Sequence, residues 1–321
     1  SAVYIAMLMI TDPDIHPSEG AFAPITVIAP KGTVVNPREP ASTVSGLTET
    51  CNRIIDIALG ALSPGRPDHA VAGELGSCNV HTLGGVRQAD DGTPEQWVMI
   101  LNPKGGWGGM EAKDGWTAIQ DPLSNCRNHP VEAIELAYPV VVRRYELRTG
   151  PEGAGRSRGG YGLRRDLELV EPCVLSTCLD RSTIPPFGLL GGADGAPNLM
   201  WLRRAGANDW EPVEPRLSNL PLSAGDTVRI ETAIGGGYGD PLQRDPARVA
   251  DDVTDGYIAP EAAAEVYGVV LDGDGLLDAA ATDTLRAEMT ARRASQTPAP
   301  PAFPGRVPTL VTTTTGPGEG A

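Results

Sequence analysis

No apolar run in the 321 residues reaches the roughly 20 that a membrane-spanning helix needs. The stretch from Ala2 to Ile10 is apolar, but it is too short and has no basic flanks, so it also fails the pattern of a secretory leader. Basic side chains are scarce. There are 26 Lys and Arg against 41 Asp and Glu, a formal net charge of −15, which argues against nucleic acid or an anionic membrane as partner. Cysteine is sparse, and Cys51, Cys78, Cys126, Cys173 and Cys178 show no tight pairing pattern. Their odd number points to reduced thiols and a cytoplasmic location. No Gly-x-Ser-x-Gly elbow occurs, nothing ties one of the four histidines to a serine or cysteine, and the acids do not declare a paired-carboxylate site. No repeat of fixed period is present.

Glycine (39) and proline (30) are abundant, and they separate many short apolar runs. That pattern predicts an α+β fold, mainly β, with short helices towards the C-terminus. Strands are expected at 25–28, 33–35, 97–101, 139–147, 167–170, 174–178 and 227–232. The clearest helix is expected over 48–62, where Ile54, Ile55, Ala58, Leu59 and Leu62 recur at helical spacing and Thr48 stands as N-cap. Short helices are expected over 131–137 and 276–293. Residues 1–10 fit either strand or helix. Residues 1–293 read as one unit, and from Ala294 to Ala321 the Pro, Thr, Ala and Gly composition reads as a flexible tail.

The most characteristic stretch runs from Gly235 to Gly268. Three glycines, Gly235 to Gly237, demand either positive φ or close backbone approach. Asp245-Pro246 then reads as an N-cap with proline at the first helical position, Gly256 as a stop, and Pro260 as the start of another helix. This order resembles the C-terminal end of the hydantoinase B/oxoprolinase family. Other pieces follow in register: Glu19-Gly20 with Phe22 and Pro24-Ile25, Val27-Ile28-Ala29-Pro30 with Gly32, and Val35-Asn36-Pro37. Next come Asn125, Arg127-Asn128 and Pro130-Val131-Glu132, Arg144-Tyr145-Glu146-Leu147-Arg148, Gly153-Ala154-Gly155-Arg156, Asp180-Arg181 with Pro185-Pro186, and Gly191-Gly192. The resemblance covers about Ser18 to Gly268.

The resemblance implies a subunit of an ATP-dependent, multi-subunit enzyme acting on a cyclic amide such as a hydantoin, an oxoproline or a lactam. It leaves open a related ketone carboxylase of the acetone or acetophenone type, and a non-catalytic scaffold subunit that completes a partner's fold. Family members carry a further N-terminal half, where the divalent metal is expected to lie. ATP with magnesium is expected on an A-type partner subunit, and no cofactor or metal on this chain. The expected partners are that A-type subunit, a polypeptide carrying the N-terminal half, and a small-molecule substrate. The apolar strip Ala2, Val3, Ile5, Met7, Leu8 and Ile10 is expected to pack against the second of these.

Four residues stand out as substrate-binding candidates: Asn79, Asn125, Arg127 and Asn128. The last three sit in a polar loop between apolar runs, and Arg127 suits bidentate capture of a carboxylate or phosphate. Asn79 precedes Thr82, Gly84 and Gly85 as in the family's matching segment; it either orients a carbonyl or stabilises its own turn. No residue declares itself catalytic. Two Cys-x-x-His pairs, Cys78/His81 and Cys126/His129, would make a tetrahedral zinc set if their loops met, but their separation in sequence supports this weakly. Gly105, Gly106, Gly108 and Gly109, like Gly235 to Gly237, lack the Lys-Ser/Thr of a phosphate loop and read as structural turns. Asp180-Arg181 reads as a buried ion pair or a supporting one.

Overall fold

A computed structural model describes residues 1–89 and 91–295. The centre is a pair of antiparallel sheets. The first has the order β2-β1-β5-β8, from β1 (Val80–Gln88), β2 (Pro94–Leu101), β5 (Cys173–Cys178) and β8 (Arg216–Leu222). The second has the order β3-β4-β9-β6-β7, from β3 (Val140–Arg148), β4 (Gly162–Leu169), β6 (Leu199–Arg203), β7 (Glu211–Val213) and β9 (Thr227–Glu231). Alternation along each strand sends one set of side chains inward. Trp97, Met99 and Leu101 of β2 are buried while Val98 and Ile100 are exposed. They meet Leu83, Leu175 and Leu222 from their own sheet and Leu167, Leu169, Met200, Leu202, Val228 and Ile230 from the other, forming one apolar core. The α+β class is as expected. β1, β6, β7 and β8 lie outside the expected strands; in β1 and β8, Gly84, Gly85 and Pro221 interrupt the side-chain pattern while the ladders continue through them.

Helices flank both ends. At the N-terminal end, α1 (Ala2–Thr11) packs through Ala2, Ala6 and Ile10 on Ile55 and Leu59 of α3 (Asn52–Leu62). The apolar strip at the start of the chain is thus covered in part by the chain's own helix. A single turn, α2 (Glu19–Phe22), stacks Phe22 on Tyr4 at 4.5 Å. The helix expected over 48–62 starts later than its pattern implies. Ser45 takes φ of 66°, a π-turn covers Gly46–Cys51, and the Thr48 carbonyl accepts from the Asn52 side chain at 2.9 Å instead of Thr48 acting as a cap. Residues 25–28 and 33–35 form no strand: Thr33 and Asn36 make an isolated bridge, and Val27, Ile28, Val34 and Val35 remain exposed. A β-prone run needs a neighbour for its backbone groups, and none lies beside it among the described residues.

α4 (Val131–Ala137) packs on β3 and puts Ile134 in the sheet core, and α5 (Pro246–Thr254), α6 (Pro260–Tyr267) and α7 (Ala279–Ser295) follow the sheets in the chain. Asp245 caps α5 by accepting from the Ala247 amide at 2.9 Å, and Gly256 and Gly268 close α5 and α6 with φ of 73° and 63°. α7 runs two residues past the expected end at Arg293; the rest of the expected tail, 296–321, lies outside the described residues. No helix among the described residues is long and apolar enough to cross a membrane.

The glycine clusters are explained by packing of backbone on backbone. Extended segments around Gly73, Gly106, Gly160, Ala193 and Gly236 cross-link directly. The amide of Gly106 donates to Ala233, Gly109 to Gly236, Gly235 to Gly160, Gly236 to Gly73 and Gly237 to Ala193, all at 2.8–2.9 Å. A Cβ on Gly106 would lie 1.8 Å from the Gly160 carbonyl oxygen, and one on Gly235 would lie 2.0 Å from that of Trp107. Close approach, not positive φ, therefore requires glycine at both positions. With these amides already donated, the clusters offer no cradle for a phosphate.

Candidate functional site

β2 ends at Leu101, and the chain turns through Asn102-Pro103 to Lys104. The Lys104 carbonyl accepts from Thr232 Oγ1 at 2.7 Å, which fixes the residue next to the glycine layer. Lys104 is only 4% exposed, yet its side chain makes no hydrogen bond or ion pair among the described residues. It lines a cleft of about 430 Å³ together with Trp107, Gln120, Asp121, Asn125 and Arg127.

The far wall of the cleft is the loop from Asp121 to Pro130, whose first half is pinned. Asp121 accepts from the Leu123 amide at 3.0 Å through Oδ1, and from Gln120 Nε2 at 3.1 Å and the Cys78 thiol at 3.0 Å through Oδ2. Trp107 Nε1 donates to the Gln120 carbonyl at 2.6 Å, and its ring meets Trp116 at 5.1 Å. The second half, Asn125 to His129, is exposed, and the side chains of Asn125, Arg127 and Asn128 make no hydrogen bond among the described residues. A rigid base thus presents a polar tip whose donors are uncommitted, the arrangement expected of a binding loop.

Behind Arg127 a smaller pocket of about 100 Å³ opens, lined by Asn102, Lys104, Arg127, Asn128, His129 and Arg165. Arg165 comes from β4. It lies on the inward side of that strand, in the row Leu163, Arg165, Leu167, Leu169, and is 5% exposed. Its cross-strand neighbour Tyr145 holds the guanidinium against its ring at 4.4 Å. No carboxylate pairs with it among the described residues.

The electrostatics follow from burial. Loss of solvent lowers the Lys104 pKa from its ordinary value, although Asp121 and the two nearby thiols oppose the shift. His81, buried beside this pocket, is pushed down to about 3, first by burial and then by the charge of Arg165, so it is neutral at physiological pH. Burial pushes the Cys78 thiol up to about 12, which makes it a poor nucleophile and metal ligand.

Of the four expected binding residues, Asn125, Arg127 and Asn128 meet at the cleft. Asn79 does not reach it. It is fully buried, accepts from Asn198 Nδ2 at 3.0 Å and donates to the Pro103 carbonyl at 3.4 Å, with φ of 51°. Its amide supports the turn that leads into β1. The two Cys-x-x-His pairs do not assemble: Cys78 faces Asp121 and Ser124, the His81 ring lies 3.4 Å from the Asn79 carbonyl, and Cys126 and His129 are exposed on the loop. No three His, Cys, Asp or Glu side chains among the described residues converge as a metal set. Asp180 and Arg181 are not partners of each other. Arg181 pairs with Asp56 of α3, while Asp180 takes Arg216 at 2.8 Å and Arg53 at 3.4 Å. These ion pairs dock α3 onto the sheets.

Lys104 and Arg165 lie outside the set expected from sequence. Arg165 carried a signal, since it breaks an alternating apolar row with a cation. Lys104, in a Pro-Lys-Gly-Gly turn, carried none.

The hydantoinase B/oxoprolinase family model matches residues 1–241. The chain belongs to that family. A protein provisionally named as the B-type subunit of a D-/L-hydantoinase, from Pseudomonas sp. (strain NS671), is 33% identical over 269 residues, covering 84% of this chain and 44% of its own length. The crystal structure of the ATP-dependent caprolactamase from Pseudomonas jessenii superposes with a TM-score of 0.75 at 29% identity, over 89% of this chain and 50% of that one. A nucleotide-free structure of acetone carboxylase shares the fold, with a TM-score of 0.70 at 22% identity over 92% of this chain and 44% of that one. The chain thus spans about half the length of each of these three proteins.

Proposed function

We propose that this family member works as part of a B-type subunit in an ATP-dependent enzyme that opens a cyclic amide, a hydantoin, oxoproline or lactam. The cleft over Lys104 receives the substrate. The observation that carries this reading is the meeting of Asn125, Arg127 and Asn128, all with uncommitted side chains, above a buried and unpaired Lys104. Relatives named as a hydantoinase component and an ATP-dependent caprolactamase support the reaction class.

An amide carbon is a poor electrophile. In this reading an A-type subunit, holding ATP and magnesium, phosphorylates the amide oxygen, and the carbon then becomes open to water. Over the cycle the ring C–N bond takes up one water, and a second water's worth of hydrolysis splits ATP to ADP and phosphate. The side chains here bind and orient. The amides of Asn125 and Asn128 reach ring carbonyl and N–H groups, and Arg127 holds an anionic substituent bidentately. The described residues do not fit a resident metal, so no step in this chain runs through one; the divalent metal belongs with the N-terminal half in this reading. A separate polypeptide or segment with that half also supplies cover for Val27, Ile28, Val34, Val35 and Val44, which stand exposed along an unpaired extended segment. A cytoplasmic location goes with the use of ATP.

The test is reconstitution with the neighbouring subunits, followed by assay of ATP-dependent ring opening and, in parallel, of bicarbonate uptake into ketones. Loss of ring opening in Arg127→Ala and Asn125→Ala with assembly intact is the expected result. Carboxylation instead of hydrolysis would move the assignment to the carboxylase branch. Wild-type turnover in both variants would leave this chain a scaffold.

A further inference from the structure

We propose that the small pocket formed by Lys104, Arg127 and Arg165 is an oxyanion site that holds the phosphoryl group of the activated substrate. This rests on the reading that the substrate is phosphorylated on its amide oxygen.

A guanidinium taken out of water without a counter-charge is strongly unfavourable, and buried arginines are ordinarily paired. Arg165 is 5% exposed and Lys104 is 4% exposed, and neither has an anionic partner among the described residues. The other buried arginines among the described residues are paired: Arg181 meets Asp56, and Arg244 meets Asp114 and Asp252. The two exceptions line the same pocket, and Arg127 joins them from the loop. The nearest carboxylate on the cleft, Asp121, has both oxygens engaged by Leu123, Gln120 and Cys78. Neutral His81 adds no charge. An anion bound there would balance the three cations.

Size selects the anion. The pocket, about 100 Å³ against about 430 Å³ for the cleft beside it, is small enough to suit a tetrahedral oxyanion. Three cations suit a group bearing two negative charges better than a single carboxylate. Geometry connects the two spaces. Lys104, Cys126, Arg127 and Asn128 line both the small pocket and the larger cleft. A ring seated in the cleft can therefore place its phosphorylated oxygen in the pocket behind it. The ring of Tyr145 fixes Arg165 in place, so the site is organised before ligand arrives.

The test uses the assembled complex without ATP, titrated with inorganic phosphate in low-chloride buffer and followed calorimetrically. Saturable binding is expected, weakened at least about tenfold in Arg165→Gln and in Lys104→Met, as loss of one charge-assisted hydrogen bond implies. Arg143→Gln, at an exposed pair with Glu168, should leave it unchanged. Acetate should bind at least about tenfold more weakly than phosphate, since it presents one charge to the three cations. Two variants guard against one that fails to assemble. No saturable binding, binding indifferent to both pocket variants, or acetate binding as tightly as phosphate would each overturn the proposal. Phosphate binding that depends on Arg165, in a complex that opens no cyclic amide, would sustain the site while removing the proposed reaction. Ring opening in a complex that binds no phosphate would do the reverse.

Discussion

Arg244 offers a quantitative test of how the C-terminal helices are attached. Its side chain is 1% exposed, and its two terminal nitrogens reach Asp114 at 2.8 and 2.9 Å and Asp252 of α5 at 2.8 Å. Its carbonyl accepts from Arg286 of α7 at 2.7 Å. One side chain thus joins the loop after the glycine layer to α5, and its backbone joins α7. Arg244→Met would leave two carboxylates facing each other in a site with little water. Removing one partner of a buried pair costs about 3–5 kcal/mol. Arg158 still contacts Asp252 at 3.2 Å and Arg248 still contacts Asp114 at 2.6 Å, so the lower end, about 3 kcal/mol, is expected. For a unit of about 290 residues, at about 2.1 cal/mol/K of unfolding entropy per residue, that is a fall of about 5 °C in melting temperature. Differential scanning calorimetry measures it, and Asp114→Asn added to the variant should recover part of the loss. The pH dependence has a definite sign. Burial alone would raise the Asp114 pKa, but its hydrogen bond to Arg244 and the charges of Arg244, Arg158 and Arg248 hold it below the ordinary carboxylate range. A depressed acid contributes stability above its unfolded pKa of about 3.9 and loses it as pH falls through the folded value. The gap between wild type and Arg244→Met should therefore be constant from pH 5 to 8, as the ordinary carboxylate range dictates, and close in stronger acid. A gap under about 2 °C at pH 7 would refute the idea that Arg244 organises this end.

Three further outcomes are expected. Gly235→Ala should prevent stable folding, because its Cβ would meet the Trp107 carbonyl oxygen at 2.0 Å in a layer with no free direction of retreat; a soluble variant with an unchanged circular dichroism melt would refute this. Among the cysteines, Cys126 should be alkylated first by a maleimide and Cys78 and Cys173 slowest, as peptide mapping would show, since Cys126 is exposed while burial pushes Cys78 up to about 12 and Cys173 up to about 11; phosphate should slow the Cys126 reaction if the pocket binds it. Glu49 is 5% exposed, and burial pushes its carboxyl up to about 7. Because that folded value lies above the ordinary 4.5, stability falls as pH rises from about 4.5 to about 7 and is level above it. Glu49→Gln should then raise the melting temperature at pH 8 and change it little at pH 5, and equal effects at both pH values would contradict the shift.

What the sequence disclosed and what it concealed divide along one physical line. Local signals survived. The caps Asp245 and Gly256, the helical period of Ile55 and Leu59, and the apolar strand at 97–101 are each decided within a few residues, and each appears in the fold. Signals that depend on distant partners did not. Val27 and Ile28 have strand composition but no neighbouring strand among the described residues, so propensity alone misplaced them. Asn79 and Arg127 looked equally polar and equally suited to a ligand. Only the arrival of Asn198 from 119 residues away, which uses up the Asn79 amide, separates an interior support from an exposed donor. The same holds for the cationic pocket. Lys104 follows β2 and Arg165 lies on β4, and their shared lack of a counter-ion among the described residues is a property of three-dimensional surroundings, visible only beside buried arginines such as Arg181 and Arg244 that have one. A single residue in the sequence did hint at it. Arg165 stands where the row Leu163, Leu167 and Leu169 calls for an apolar side chain, and a chain that tolerates a guanidinium there has a reason to keep it. The cost of that position falls away when an anion enters. Phosphate should therefore raise the melting temperature of wild type, and raise that of Arg165→Gln by clearly less at the same concentration.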